Sequence, residues 1–203
     1  MPIETLWPTY IYRAKFSSAQ KFNRELAVEI GQLEAMDQEG VEWSRTHYVG
    51  GYSSYSSLCN LHQTSPNFGE LEKKLRPHVR RFVKKLNWNL LGREIRMTTC
   101  WANSMGHATY HTLHNHPSSV ISGVYYVDVP KGSSAFKIED PRMGLLMASP
   151  PRKGSAPKAE QNYIQLDPQA GQFILFEGWM RHEVPPHRSQ KPRLSISFNY
   201  EWI

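Results

Sequence analysis

The chain has 203 residues, with 24 Lys and Arg against 18 Asp and Glu, 39% apolar residues and 12% aromatic ones. Such a length can bury a full hydrophobic core, and this composition excludes an intrinsically disordered chain. The formal charge of +6 is mild and suits an anionic small molecule as well as it suits nucleic acid.

No apolar run approaches the roughly 20 residues that a bilayer-spanning helix needs. The start, Met1-Pro2-Ile3-Glu4, lacks the basic-then-apolar pattern of a secretory leader. Cys59 and Cys100 are too few for a disulfide framework or a thiolate zinc site, so a reduced, cytoplasmic protein is expected.

In chain order, the first half reads as helical. Between Ser17 and Met36 the apolar residues Phe22, Leu26, Ile30 and Leu33 form a helical stripe, with Ser17 or Ser18 as N-cap and Gly40 just beyond the end. Residues 50–57, Gly- and Ser-rich with two tyrosines, have too little apolar area for a packed element and read as a loop. A second helix starts at Ser65-Pro66, with the stripe Leu75, Val79, Phe82 and Leu86, and Pro77 is expected to kink or split it. Its basic run over 73–85 reads as a solvated face rather than a nucleic-acid surface.

From Ile95 onward the texture becomes β. The runs Ile95–Trp101, Ser119–Val127, Ala135–Ile138, Gln172–Phe176 and Leu194–Tyr200 are rich in β-branched and aromatic residues and bounded by Pro, Gly or Ser, as in an antiparallel sandwich or barrel. We read one domain over 1–203: a helical layer and loop over 1–92, then a β core over 93–203, with 131–169 as a long inserted loop. Met143–Met147 inside it would serve as a lid, a dimer contact or a buried turn.

Of nine histidines, four fall between His107 and His116. On a strand, residues two apart share a face, so His114 and His116 project together, whereas His111 has the opposite parity and points away unless a bulge intervenes. A His-x-His pair plus a distant histidine such as His182 can close a three-ligand metal face with open positions for substrate. His47, His62 and His78 read as ordinary histidines. Asp128 and Glu183 are the nearest carboxylates in sequence, and Asp128 shares the parity of His114 and His116.

The order of the pieces is more specific than any one of them: His114-Asn115-His116, then Ser122-Gly123-Val124-Tyr125-Tyr126-Val127, a long gap, Gly171–Phe176, His182, and Arg193-Leu194-Ser195-Ile196-Ser197-Phe198-Asn199. This order resembles the iron(II)- and 2-oxoglutarate-dependent dioxygenases, in particular a small bacterial and phage group with an H-x-H motif. The resemblance covers residues 101–202 and, more weakly, the helical half.

The resemblance implies a mainly β, double-stranded β-helix (a cupin-like jelly roll) with the N-terminal helices packed on it. Its metal ligands would be His114, His116 and His182, with His116 standing where most of the superfamily has a carboxylate. A displaced carboxylate such as Asp128 would be the alternative. Arg193 would pair with the 5-carboxylate of 2-oxoglutarate, a bidentate match for guanidinium, with Ser195 beside it. Tyr126 and Asn103 would complete the cosubstrate site.

The expected activity is oxidation of a small-molecule or peptide substrate with iron(II) and 2-oxoglutarate as cofactors, releasing succinate and CO2. Neither a membrane nor nucleic acid is expected as partner, and a homodimer would use apolar residues of the inserted loop. Two other readings share the histidines: a three-histidine dioxygenase that uses no 2-oxoglutarate, and a non-catalytic binding module stabilised by its metal.

Overall fold

The computed structural model describes residues 3–203; Met1 and Pro2, which open the N-terminal stretch read above, lie outside the described residues. A short strand, β1 (Tyr12–Lys15), precedes helix α1 (Gln20–Met36), which buries Leu26 and Ile30 of the expected stripe. Neither Ser17 nor Ser18 caps it. Ala19 occupies the N-cap position, and Ser18 takes a positive φ of 55° in the turn before it.

Gly40 does not end α1 either. Asp37 breaks the chain there and accepts a hydrogen bond from the Gly40 amide (3.0 Å), starting a second helix, α2 (Gln38–His47), that periodicity had not marked. The reason is compositional: α2 buries only Gly40 and Ser44, so it shows no apolar stripe.

Residues 50–57 are more ordered than their composition suggests. Tyr52–Ser53 form strand β2, and Tyr52, Ser53 and Ser54 are fully buried. Polar groups replace the missing apolar area: the Tyr52 hydroxyl donates to Asp37 (2.8 Å), and the Ser54 hydroxyl accepts from the Ala102 amide (3.1 Å).

After the short helix α3 (Leu61–Thr64), helix α4 (Pro66–Leu86) starts as its cap predicts, with the Ser65 hydroxyl accepting from the Phe68 amide (3.3 Å). It runs unbroken through Pro77. That residue lies on the exposed face, where water can satisfy the carbonyl its ring leaves without a donor. Leu75, Val79 and Phe82 are buried against the sheet, while the cations of 73–85 lie on the solvent side.

The β half forms two antiparallel sheets. The larger contains β1, β2, β3 (Ile95–Met105), β5 (Ile121–Asp128), β8 (Gln172–Glu177) and β10 (Arg193–Trp202) in the order β1-β8-β5-β10-β3-β2. The smaller contains β4 (His111–His114), β6 (Phe136–Glu139), β7 (Tyr163–Leu166) and β9 (His182–Val184) in the order β4-β9-β6-β7. This is the expected double-stranded β-helix. The expected inserted loop shrinks, because β6 and β7 pair with each other and only 140–162 loops out. Met143–Met147 is not a buried turn: Leu145 and Met147 are largely exposed.

Alternation divides the large sheet between two cores. Its outer face (Ala102, Tyr125, Phe173, Leu175, Ile196 and Phe198) packs on α1 and α4 through Leu26, Ile30, Phe68, Leu75 and Phe82. Each such fully buried side chain contributes about 1.5–3 kcal/mol. The inner face meets the small sheet through Val124, Tyr126, Ile174 and Phe176, against Phe136, Ile138 and Leu166. The two tyrosines of Tyr125-Tyr126 therefore serve different cores. Between the sheets, the inner face also carries polar groups that no core requires.

Candidate metal centre

His114 ends β4, His116 lies two residues beyond it, and His182 opens β9 directly across the ladder from His114. Each offers a ring nitrogen within 4.8 Å of the others. The ring centroids of His114 and His182 are 4.3 Å apart, and His116 stacks on His182 at 5.2 Å.

Two of these rings have their tautomer fixed by backbone. Nδ1 of His114 is 2.7 Å from the Thr112 carbonyl and Nδ1 of His182 is 2.9 Å from that of Met180. A carbonyl only accepts, so Nδ1 carries the proton in both and Nε2 presents its lone pair. Burial, reinforced by the neighbouring His114, pushes the His116 pKa down to about 4. Burial and His114 push that of His182 down to about 3, against the opposing hydrogen bond to Met180. Both rings are neutral at neutral pH, the state in which imidazole binds a metal.

Neither carboxylate considered from the sequence joins them. A bulge at Val127 sets Asp128 opposite Leu194, whereas Tyr126 lies opposite Ser195, and Asp128 ends on the exposed, outward side. Glu183 faces outward from β9 and pairs with Lys137 at 2.7 Å. Among the described residues the group that could hold a metal ion is three imidazoles, those of His114, His116 and His182.

The same cavity is lined by all four expected cosubstrate residues, Asn103, Tyr126, Arg193 and Ser195. They come from three adjacent strands, since Ser195 of β10 pairs with Asn103 of β3 on one side and Tyr126 of β5 on the other. Asn103 is fixed by donating to Ser197 (3.1 Å) and accepting from Ser53 (2.9 Å), so β2, read as loop, supports it.

Arg193 is only 3% exposed. Its guanidinium donates to the Ser134 carbonyl at 2.9 Å and lies 5.5 Å from the centre of the Tyr126 ring. Its Nε is buried without a hydrogen-bond partner, and among the described residues no carboxylate pairs with it. A buried cation with no counter-ion is costly, and a bound carboxylate removes that cost. The three imidazoles and Arg193 thus fit a divalent metal together with a dicarboxylate.

His111 also lines this cavity. The ladder from His111–Val184 to His114–His182 advances three residues on β4 and two on β9, so a bulge brings both histidines to one face. Strand parity alone leaves that exception open, because the partner strand sets where a bulge falls.

Residues 99–199 match the family model described as "Putative 2OG-Fe(II) oxygenase". The chain belongs to the iron(II)- and 2-oxoglutarate-dependent oxygenases. It is an enzyme of the dioxygenase class, and its cofactors are iron(II) and 2-oxoglutarate.

No curated protein matches the sequence. Among solved structures, the fold is similar to that of a prolyl-4-hydroxylase from Pseudomonas putida (14% identity, TM-score 0.64, 95% of this chain and 92% of that one). It is also similar to that of HygX from Streptomyces hygroscopicus, solved with nickel and 2-oxoglutarate bound (14% identity, TM-score 0.61, 95% and 82%). A third is SnoN, a non-heme α-ketoglutarate-dependent epimerase from nogalamycin biosynthesis (13% identity, TM-score 0.66, 95% and 78%).

Proposed function

We propose that this oxygenase holds iron(II) through His114, His116 and His182 and oxidises a neutral small molecule or peptide side chain, with release of succinate and CO2. The observation that carries the 2-oxoglutarate site is Arg193, a buried guanidinium facing the three imidazoles with no anion of its own. When bound, iron and 2-oxoglutarate supply the oxidising power, drawn from O2 and the decarboxylation of the cosubstrate.

The protein's part is to bind and orient. Arg193 holds the distal carboxylate of 2-oxoglutarate by a charge-assisted pair, with Ser195 on the same face and Tyr126 beneath the guanidinium. Nε2 of His114 and His182 and the ring of His116 hold the metal. Phe136 and Phe176, ringed around His182, exclude water from the deep side. A metal held by three neutral histidines keeps one more positive charge than one held with a carboxylate, which favours the dianionic cosubstrate.

On the open side, a run of aromatic rings leads from the centre to the surface: Trp101 at 6.5 Å from His116, Tyr55 at 5.0 Å from Trp101, then Trp43 and His47 stacked at 4.6 Å. Among the described residues the cavity lining contains no carboxylate, and Arg193 is its one fixed cation. These walls suit an uncharged group that presents a C–H face to aromatic rings.

The test is anaerobic titration of 2-oxoglutarate into the iron(II)-loaded protein, read as the visible metal-to-ligand charge-transfer band. A saturable band, absent in His182→Ala and weakened at least about tenfold in Arg193→Gln, is the expected result. Bound iron with no band in the wild type overturns the cosubstrate site and leaves a three-histidine dioxygenase that uses O2 alone.

A further inference from the structure

His111 is unexplained by the three-ligand site. Its ring lines the metal cavity, yet it makes no hydrogen bond among the described residues, and its nitrogens fall outside the cluster that could share one metal ion. The ring is nonetheless held firmly. It stacks on Tyr48 with centroids 4.6 Å apart, and Val184 lies opposite it in the ladder. Tyr48 is itself buried in a small core with Met105 and Val184.

On its other side the ring lies 5.8 Å from that of His114. An imidazole ring carries at least one N–H donor, and among the described residues nothing accepts from that of His111. His114, His116, His182 and Arg193 share the cavity wall with it. The cavity therefore contains two donors without an acceptor among the described residues, Arg193 Nε and the His111 N–H.

We propose that His111 is a cosubstrate-positioning residue: its N–H donates to the metal-proximal carboxylate of 2-oxoglutarate, while Arg193 holds the distal one. The inference rests on the 2-oxoglutarate reading above. It assigns one donor to each end of the dicarboxylate, so that the keto-acid end is oriented independently of the distal salt bridge.

The test compares 2-oxoglutarate with pyruvate, which keeps the 2-keto acid end and lacks the distal carboxylate. Both are titrated anaerobically into iron(II)-loaded wild type, His111→Phe, His111→Gln and Arg193→Gln, with the charge-transfer band as readout. Phe keeps the stacking on Tyr48, and cobalt(II) absorption shows that the metal still binds. The expected result is about a tenfold or greater rise in Kd for both ligands in His111→Phe, a shifted band maximum, and partial rescue in His111→Gln, which retains a donor. Arg193→Gln should weaken 2-oxoglutarate alone.

Unchanged affinities in His111→Phe, or a loss confined to 2-oxoglutarate, overturn the proposal. Absence of a band in the iron-loaded wild type is a different failure, that of the cosubstrate site itself.

Discussion

Gly178 shows how closely the three-histidine cluster depends on backbone. Its carbonyl accepts from the His116 amide (2.8 Å), and its own amide donates to Val120 (3.1 Å). A Cβ at this position would lie 2.0 Å from the Ser119 carbonyl oxygen and 2.9 Å from that of His116. These are backbone atoms, so Gly178→Ala must displace the turn that carries His116. We expect it to weaken cobalt(II) binding by about tenfold or more, measured by titrating the d–d absorption, while the far-ultraviolet circular dichroism stays near wild type. Unchanged affinity would mean that His116 is not a ligand. His114 and His182, each tied to a carbonyl, are single-residue features that no sequence pattern reveals, because the acceptors are chosen by turn geometry.

At the scale of elements, α4 combines the most legible pattern with an apparent contradiction. Its cap, Pro66 and the Leu75–Val79–Phe82 stripe are all visible in sequence, and Pro77 argued for a break. The break does not occur because the proline falls on the solvent side, where the lost hydrogen bond is replaced by water. Pro77→Ala should therefore stabilise the protein by about 2 kcal/mol, the regained helical bond less the lost restriction of the unfolded chain. The midpoint of urea unfolding measures it.

The next residue, His78, packs its ring against Phe16 and Phe173, with Tyr12 hydrogen-bonded to Nδ1 at 2.7 Å. Burial and then Arg81 hold its pKa below the usual histidine value; burial does the same at His62. A histidine whose pKa is lower folded than unfolded takes up more protons on unfolding. Its contribution is complete above about pH 6.5 and is lost as pH falls below it. The urea midpoint should drop between about pH 7.5 and 5.5, and His78→Leu should flatten that drop.

For the whole molecule, the two sheets bring residues from β3, β4, β5, β9 and β10 to one cavity, so metal binding should stabilise the fold as a unit. At nickel(II) near a hundredfold excess over its Kd, linkage gives about 2.7 kcal/mol, or roughly 5–10 °C in Tm for a chain of this size. That rise should vanish in His114→Ala and in His182→Ala, read by scanning calorimetry.

The sequence by itself determined the strands whose β-branched and aromatic runs are dense, the two long amphipathic helices, and the histidines, arginine, serine, tyrosine and asparagine that line the cavity. The elements are local, so period and residue type suffice for them; the cavity residues beyond the histidines follow from the resemblance that the order of the motifs carries. What only the tertiary structure decided turns on single-residue insertions and on polar packing. One bulge between His111 and His114 turns His111 into the cavity, and another at Val127 turns Asp128 out of it. α2 and β2 are held by Asp37, Ser44 and Ser54 rather than by an apolar stripe, so periodicity does not mark them. A bulge reverses the face of every side chain beyond it, and its position is set by the partner strand; that is why His111 and Asp128 take their sides only when the sheets are paired.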